Sequence, residues 1–235
     1  MRTLLQIVQA AANEMGLPTV ATVVGNPDLQ VSQMLALANR TGLELAAIEG
    51  GWNALRAEQL ITLVPGTANY AFPADFSYYV QDTFWDRSTK WPLAGPLSAV
   101  DWQLLRTGLY PGGINARYRI MAGQIYFDPV PSAADVIAIE YISSNWCQSA
   151  GAVKQALWAA DTDTPLIADD LFVLGIKWRF KREKGFDYGE DMATYQKALD
   201  RIHPRDKVTQ NVYMRGPANF APLVNLGPLP SITAT

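Results

Sequence analysis

The chain has 235 residues, 49% of them hydrophobic and 17% charged, with a formal net charge of −3. That length supplies one large core or two small ones, and charge below the ~25% usual in soluble domains leans towards large protein–protein contacts. The lack of basic excess argues against a tightly held nucleic acid, and the single cysteine, Cys147, excludes an intrachain disulfide and argues against a thiolate metal cluster.

At the N-terminus one positive charge, Arg2, precedes apolar residues that Gln6, Gln9, Asn13 and Glu14 interrupt, unlike the unbroken apolar stretch of a signal peptide. No stretch approaches the ~20 apolar residues of a membrane span. The expectation is a protein folded in a cytoplasm. Leu4, Val8, Ala11 and Met15 recur at helical spacing and predict a helix over 3–15, stopped by Gly16 and Pro18. Residues 18–25 read as a linker. Asn26 as N-cap, Pro27 as first helical residue and Asp28 near the positive dipole end predict a second helix with a stripe from Val31 to Ile48. Gly42 predicts a kink in it, and Gly50-Gly51 its end. Trp52 and Leu55 follow as anchors.

The period then changes to two. Segments 59–64 and 69–72, around Pro65-Gly66-Thr67, read as a hairpin. A turn over 73–76, a strand over 78–85 and a polar turn over 86–89 come next. Ser98 predicts the cap of a short helix reaching about Arg106, and Pro111-Gly112-Gly113 breaks the chain. Segments 117–120 and 124–127 predict a second hairpin, and 136–142 a strand with Ile137, Ile139 and Tyr141 on one face and Ala138 and Glu140 on the other. Thr164-Pro165 reads as the opening of a long helix with Asp169 and Asp170 early, an apolar side of Leu166, Leu171, Leu174 and Trp178, and Gly185 at its end. A last helix spans 187–202, with Met192, Tyr195, Leu199 and Ile202 on one face and Pro204 just beyond.

The fold class is therefore α+β: a helical bundle with an inserted small antiparallel β-domain and an extended C-terminal arm. The boundaries are 1–56 for the N-terminal helices, 57–150 for the β-domain, 151–203 for the C-terminal helices and 204–235 for the arm. The arm holds five of the fifteen prolines yet carries Tyr213, Met214, Phe220, Leu223, Val224 and Leu226. A disordered tail would normally lack such apolar groups. An arm ordered on a partner explains both features; packing on its own domain is the alternative.

Reactive chemistry is sparse. The only histidine, His203, reads as a helix C-terminal cation, with no triad partner nearby. Cys147 reads as a small buried apolar group. No phosphate-cradling glycine motif occurs. Asp161, Asp163, Asp169 and Asp170 lack the calcium-loop pattern and read as helix-start charges. Glu44, Glu49, Glu58 and Glu140 are the candidates for a glycosidase pair, with no spacing to single any out. Lys177, Arg179, Lys181, Arg182 and Lys184 spread around a helix as a basic collar, either a solvated helix end or an ionic contact with an acidic partner or passing DNA. Six tryptophans (Trp85, Trp91, Trp102, Trp146, Trp158 and Trp178) flank predicted elements as core or as interface anchors. No cofactor and no metal is expected.

The order of motifs carries a resemblance. A helix pair leads to Trp52-x-x-Leu55. Then come a run from Tyr70 to Phe76, a turn at Trp85-Asp86-Arg87-Ser88 and the pair Asp101-Trp102. A hairpin from Tyr118 to Pro131 and the step Glu140-Tyr141 close it. Over residues 1–200 this resembles the head-to-tail adaptor family of short-tailed phages, also called tail accessory or head-completion proteins. The resemblance implies a structural virion protein of the neck and no enzyme. It implies a ring, usually of twelve copies, under the portal protein, docking a tail nozzle or tail-tube protein and passing DNA through its channel without specific binding. It makes 204–235 the portal-clasping arm. A peptidoglycan-degrading glycosidase of the virion, or another nozzle or fibre-attachment protein, stands as the alternative.

Overall fold

The computed structural model describes residues 1–107 and 116–206, and the protein is α+β as expected. The expected arm, with Tyr213, Met214, Phe220, Leu223, Val224 and Leu226, lies outside the described residues, as does Pro111-Gly112-Gly113.

Helix α1 (Leu4–Glu14) begins in a capping box: the Thr3 side chain accepts from the Gln6 N–H while the Gln6 side chain accepts from the Thr3 N–H. Helix α2 (Leu29–Ala46) is capped by Asp28, two residues later than expected, because Asp28 Oδ1 accepts from Gln30 N–H at 2.8 Å. Asn26 instead accepts from Asp28 N–H and shapes the approach. The segment expected as a linker is packed: Val20 and Val23 are buried. The helix runs unbroken through Gly42, where a Cβ would come closer than 3.0 Å to the Trp146 ring, so glycine allows close approach.

Strands β1 (Arg56–Thr62), β3 (Phe76–Tyr79), β4 (Trp85–Asp86) and β5 (Trp91–Pro92) form a sheet with β8 (Val136–Ser143), in the order β1–β8–β4–β5 with β3 also on β8. A second sheet is β2 (Asn69–Ala71), β7 (Gln124–Asp128) and β6 (Arg117–Met121), in the order β2–β7–β6. The first expected hairpin is therefore absent. Strand β1 pairs with β8 and β2 with β7, so the Pro65–Thr67 turn sends the chain from one sheet to the other. The expected strand over 78–85 is split into β3 and β4, with Asp82 at φ 59° between them. The second hairpin forms as expected, around Ala122-Gly123, both at positive φ, as a type I′ connection requires. Helix α3 (Ala99–Arg106) starts at Ser98 as expected.

A third sheet has β9 (Cys147–Gln148) between β10 (Lys154–Gln155) and β11 (Thr164–Pro165). Thr164-Pro165 is thus an edge strand and not a helix start. Pro165 lacks an N–H, which an edge position tolerates. Helix α4 (Asp169–Glu183) begins four residues later and ends at Gly185, φ 76°. Helix α5 (Gly189–Asp206) runs through Pro204 instead of stopping before it.

Two apolar clusters result. One gathers α1, α2, α4 and α5 with Trp52, Trp146 and Trp158, and α4 is buried on most of its circumference. The other lies between the first two sheets: Ile61, Phe84, Ile137 and Ile139 meet Tyr118, Ile125 and Phe127. Strand β8 joins them. Its Ile137 and Ile139 point into the sheet cluster, while Ile142, one register step out of phase, belongs to the helical cluster. Both faces of β8 are covered, so it is buried beyond the one-sided alternation the sequence predicts.

Candidate functional site

The five basic residues lie on α4 and just past it, and the helix turns them towards different neighbours. Arg179 is only 2% exposed. Its guanidinium pairs with Glu44 of α2, donates to the Gly175 carbonyl at 3.1 Å and stacks on Trp178 and Tyr195. A planar cation tolerates burial when its donors are met and its faces are covered. Lys177 reaches Glu14 at 3.1 Å and Asp191 at 3.3 Å, and Lys181 also pairs with Asp191. Arg182 pairs with Glu183 and lies over Trp178, and Lys184 lies over Phe180. Burial works against the ionised form of Glu44, but the bonds and charges of Arg40 and Arg179 outweigh it and hold its carboxyl below the ordinary value. Asp191 is held down against burial in the same way by Lys181 and Lys177.

His203 lies in the last turn of α5, as expected, but is not solvated there. It is buried, its Nε2–H donates to the Gly51 carbonyl at 3.1 Å, and its ring meets Trp52 edge-on at 4.8 Å. Trp52 Nε1–H in turn donates to the Leu45 carbonyl. This chain of contacts fastens the end of α5 to the end of α2.

Of the acidic group, two residues are helix-start charges and two are not. Asp163 is 1% exposed and receives the Ala159 and Ala160 N–H groups and the Gln155 amide. Asp161 receives the N–H groups of Val23 and Val24. Only Asp169 and Asp170 sit in the first turn of α4, where both meet Arg2. These acids tie the N-terminal segment to the loop before α4. Among the described residues no group of three or more His, Cys, Asp or Glu is placed to hold a metal ion. Cys147 is fully buried, its S–H donates to the Gln155 carbonyl, and burial pushes its thiol up to about 12.

Of the four glutamates, the fold brings two together. Glu58 and Glu140 stand directly opposite in the β1–β8 register, paired with Arg87 and Arg56 respectively. Glu44 is on α2 against Arg179, and Glu49 is exposed beyond the end of α2.

A groove that sequence reasoning missed lies at the end of the sheet cluster. Leu63, Leu93, Phe127 and Ile137 form its floor, with Trp91 and Val130 at the rim. Trp91 is 60% exposed, against 0–7% for Trp52, Trp102, Trp146, Trp158 and Trp178. The only charged groups lining it, among the described residues, are Asp86 and Asp135. The available signal was a tryptophan next to a polar turn, Trp91 after Thr89-Lys90. Asp75 was missed too. It accepts from the hydroxyls of Tyr141 and Ser143 at 3.0 and 2.6 Å, and so locks the turn before β3 onto β8.

Comparison with known proteins supplies what these surfaces leave open. The profile of a phage adaptor family spans residues 2–220, which makes the chain a structural component of a virion. The chain belongs to the SU10 adaptor protein family, and so to the phage head-to-tail adaptors that its motif order resembles. No curated protein matches it.

Proposed function

We propose that copies of this chain assemble as a ring beneath the portal protein, extend the DNA channel and offer the docking face for a tail nozzle or tail-tube protein, without catalysis. The family match over 2–220 carries this reading. Twelve copies is the expected number, set by a portal template. Residues 204–235 contain the arm that clasps the portal. Their prolines and apolar side chains suit a segment that gains burial on a partner, where the area buried offsets the entropy of ordering. A ring needs head-to-tail contacts between copies, and such contacts close only if the rotation per copy is right. A portal would impose that rotation. The collar fits the same reading: Lys177, Arg179 and Lys181 are paired with acids of their own chain, which lessens their pull on DNA moving past.

Electron microscopy of the full chain mixed with a portal ring tests this. A second ring of matching symmetry on the portal is expected; a bare portal at saturating chain would overturn the reading. A deletion tests the arm. Because α5 extends to Asp206 and His203 packs on Trp52, the cut must fall after Asp206. Removing 207–235 should leave the circular dichroism spectrum unchanged and abolish portal binding. Full-strength binding by the shortened chain would show that the arm lies elsewhere.

A further inference from the structure

The groove beside Trp91 lacks an occupant among the described residues, and three observations identify one. The first is chemistry. An aromatic rim over an apolar floor flanked by Pro92, Pro129 and Pro131 suits an extended proline-rich segment, which binds such grooves with little ordering cost. Residues 207–235 contain Pro217, Pro222, Pro228 and Pro230 with Phe220 among them.

The second is charge. The groove is lined by Asp86 and Asp135 and by no cation among the described residues; Asp86 is buried and accepts from the Ser88 and Thr89 N–H groups, which leaves Asp135 as the acid open to a cation. Residues 207–235 contain Lys207 and Arg215 and no acid at all, in a chain whose 22 acids outnumber its 19 Lys and Arg overall.

The third is reach. The chain leaves α5 at Asp206, whose carboxylate accepts from the Ala54 N–H, next to the start of β1. Strand β1 then runs from Arg56 to Thr62, and Leu63 lines the groove. At ~3.3 Å per residue that path is roughly 25 Å. Nine extended residues, from Asp206 to Arg215, span about 30 Å. Arg215 can therefore arrive at Asp135, with Pro217 to Pro222 following over Trp91.

We propose that, in the unassembled chain, residues 215–222 seat in this groove of their own subunit, with Arg215 against Asp135 and the proline–phenylalanine stretch over Trp91. The groove then holds the segment until a stronger partner takes it. The inference does not rest on the portal reading, since it concerns the free subunit.

A photocrosslinker tests it in the full-length chain. With Phe220 replaced by p-benzoylphenylalanine, irradiation should give a product of monomer mass whose crosslinked peptide contains Trp91 or Val130. Trp91→Ala and Asp135→Lys, changes outside the two buried clusters, should each cut that yield about tenfold and speed tryptic cleavage after Arg215 by a similar factor. Crosslinks confined to other parts of the chain would overturn the proposal. So would a product mainly of dimer mass, which would make a second copy the donor, or yields unchanged in both variants. Should a variant misfold by circular dichroism, the crosslink map of the otherwise unaltered chain decides alone.

Discussion

Replacing Gly42 by Ala pits two effects of opposite sign against each other. In a helix interior the change is intrinsically favourable by about 1 kcal/mol, because glycine loses more backbone freedom on folding. Here the added methyl would stand closer than 3.0 Å to the Trp146 ring, inside the ~3.5–4.0 Å of good carbon contacts. The ring has little room to retreat. It is fully buried, edge-on to Trp158 at 5.0 Å and tilted against Phe172 at 5.4 Å. Overpacking of this kind costs about 1–3 kcal/mol and sometimes more, and a pinned indole belongs at the upper end. The net expectation is a loss of about 2 kcal/mol, or a melting temperature lower by roughly 4–8 °C for a chain of this size. Thermal unfolding followed by circular dichroism, with urea midpoints as a check, measures it. Trp146→Phe in the same chain should recover part of the loss, giving a coupling of about 1 kcal/mol in the double-mutant cycle. A Gly42→Ala variant that melts at or above the parent temperature would refute the close α2–Trp146 contact.

Asp163→Ala should destabilise by about 2–4 kcal/mol in urea unfolding, since it strips the acceptor from the Ala159 and Ala160 N–H groups and the Gln155 amide in a buried site. Cys147, with its thiol pushed up to about 12, should resist a thiol reagent at pH 8 in the native chain and react fully in denaturant; rapid native labelling would contradict its burial. Glu44 and Asp191 lie below their ordinary values of 4.5 and 3.8 because their arginine and lysine partners outweigh burial. A carboxyl depressed by folding adds stability above the ordinary carboxylate range and loses it as pH falls through the folded value, so melting temperature should drop below about pH 4. Asp191→Asn should make that acid decline shallower; an unchanged slope would show that the Lys177–Asp191–Lys181 cluster contributes nothing there.

Helices were legible where the signal was local. Ser98, Gly16 and Gly185 act on neighbours a few residues away, the Ser98 cap places α3, and apolar spacing places α1 and most of α4 and α5 correctly. The misreadings share one cause, a distant partner that overrides a local preference. Thr164-Pro165 has the form of a helix start, yet Cys147 and Gln148 recruit it as a strand. Pro65-Gly66-Thr67 has the form of a hairpin turn. However, β8 competes for β1 across some seventy residues of sequence and wins with seven paired positions. Gly42 looks like a weak point until Trp146 arrives beside it. Pro204 looks like a stop, but the contacts of His203 with Trp52 and Gly51 hold the last turn of α5 beyond it.

The same distinction governs the surfaces. Five cations in eight residues form an obvious charge run, but charge along a helix does not reveal which members are already paired. Glu14, Glu44 and Asp191 come from three other places in the chain, and two of the cations share one of those acids. The run thus serves to join α1, α2 and α5 to α4, a use that no local pattern encodes. The opposite holds for Trp91. One exposed indole next to a turn carries no periodic signal, and it becomes a candidate only because β4–β5 sets it over a gap between the two sheets with Asp135 at its edge. Motif order over the whole chain pointed to the family more clearly than any single residue did, because each of these junctions joins remote segments that no local motif contains.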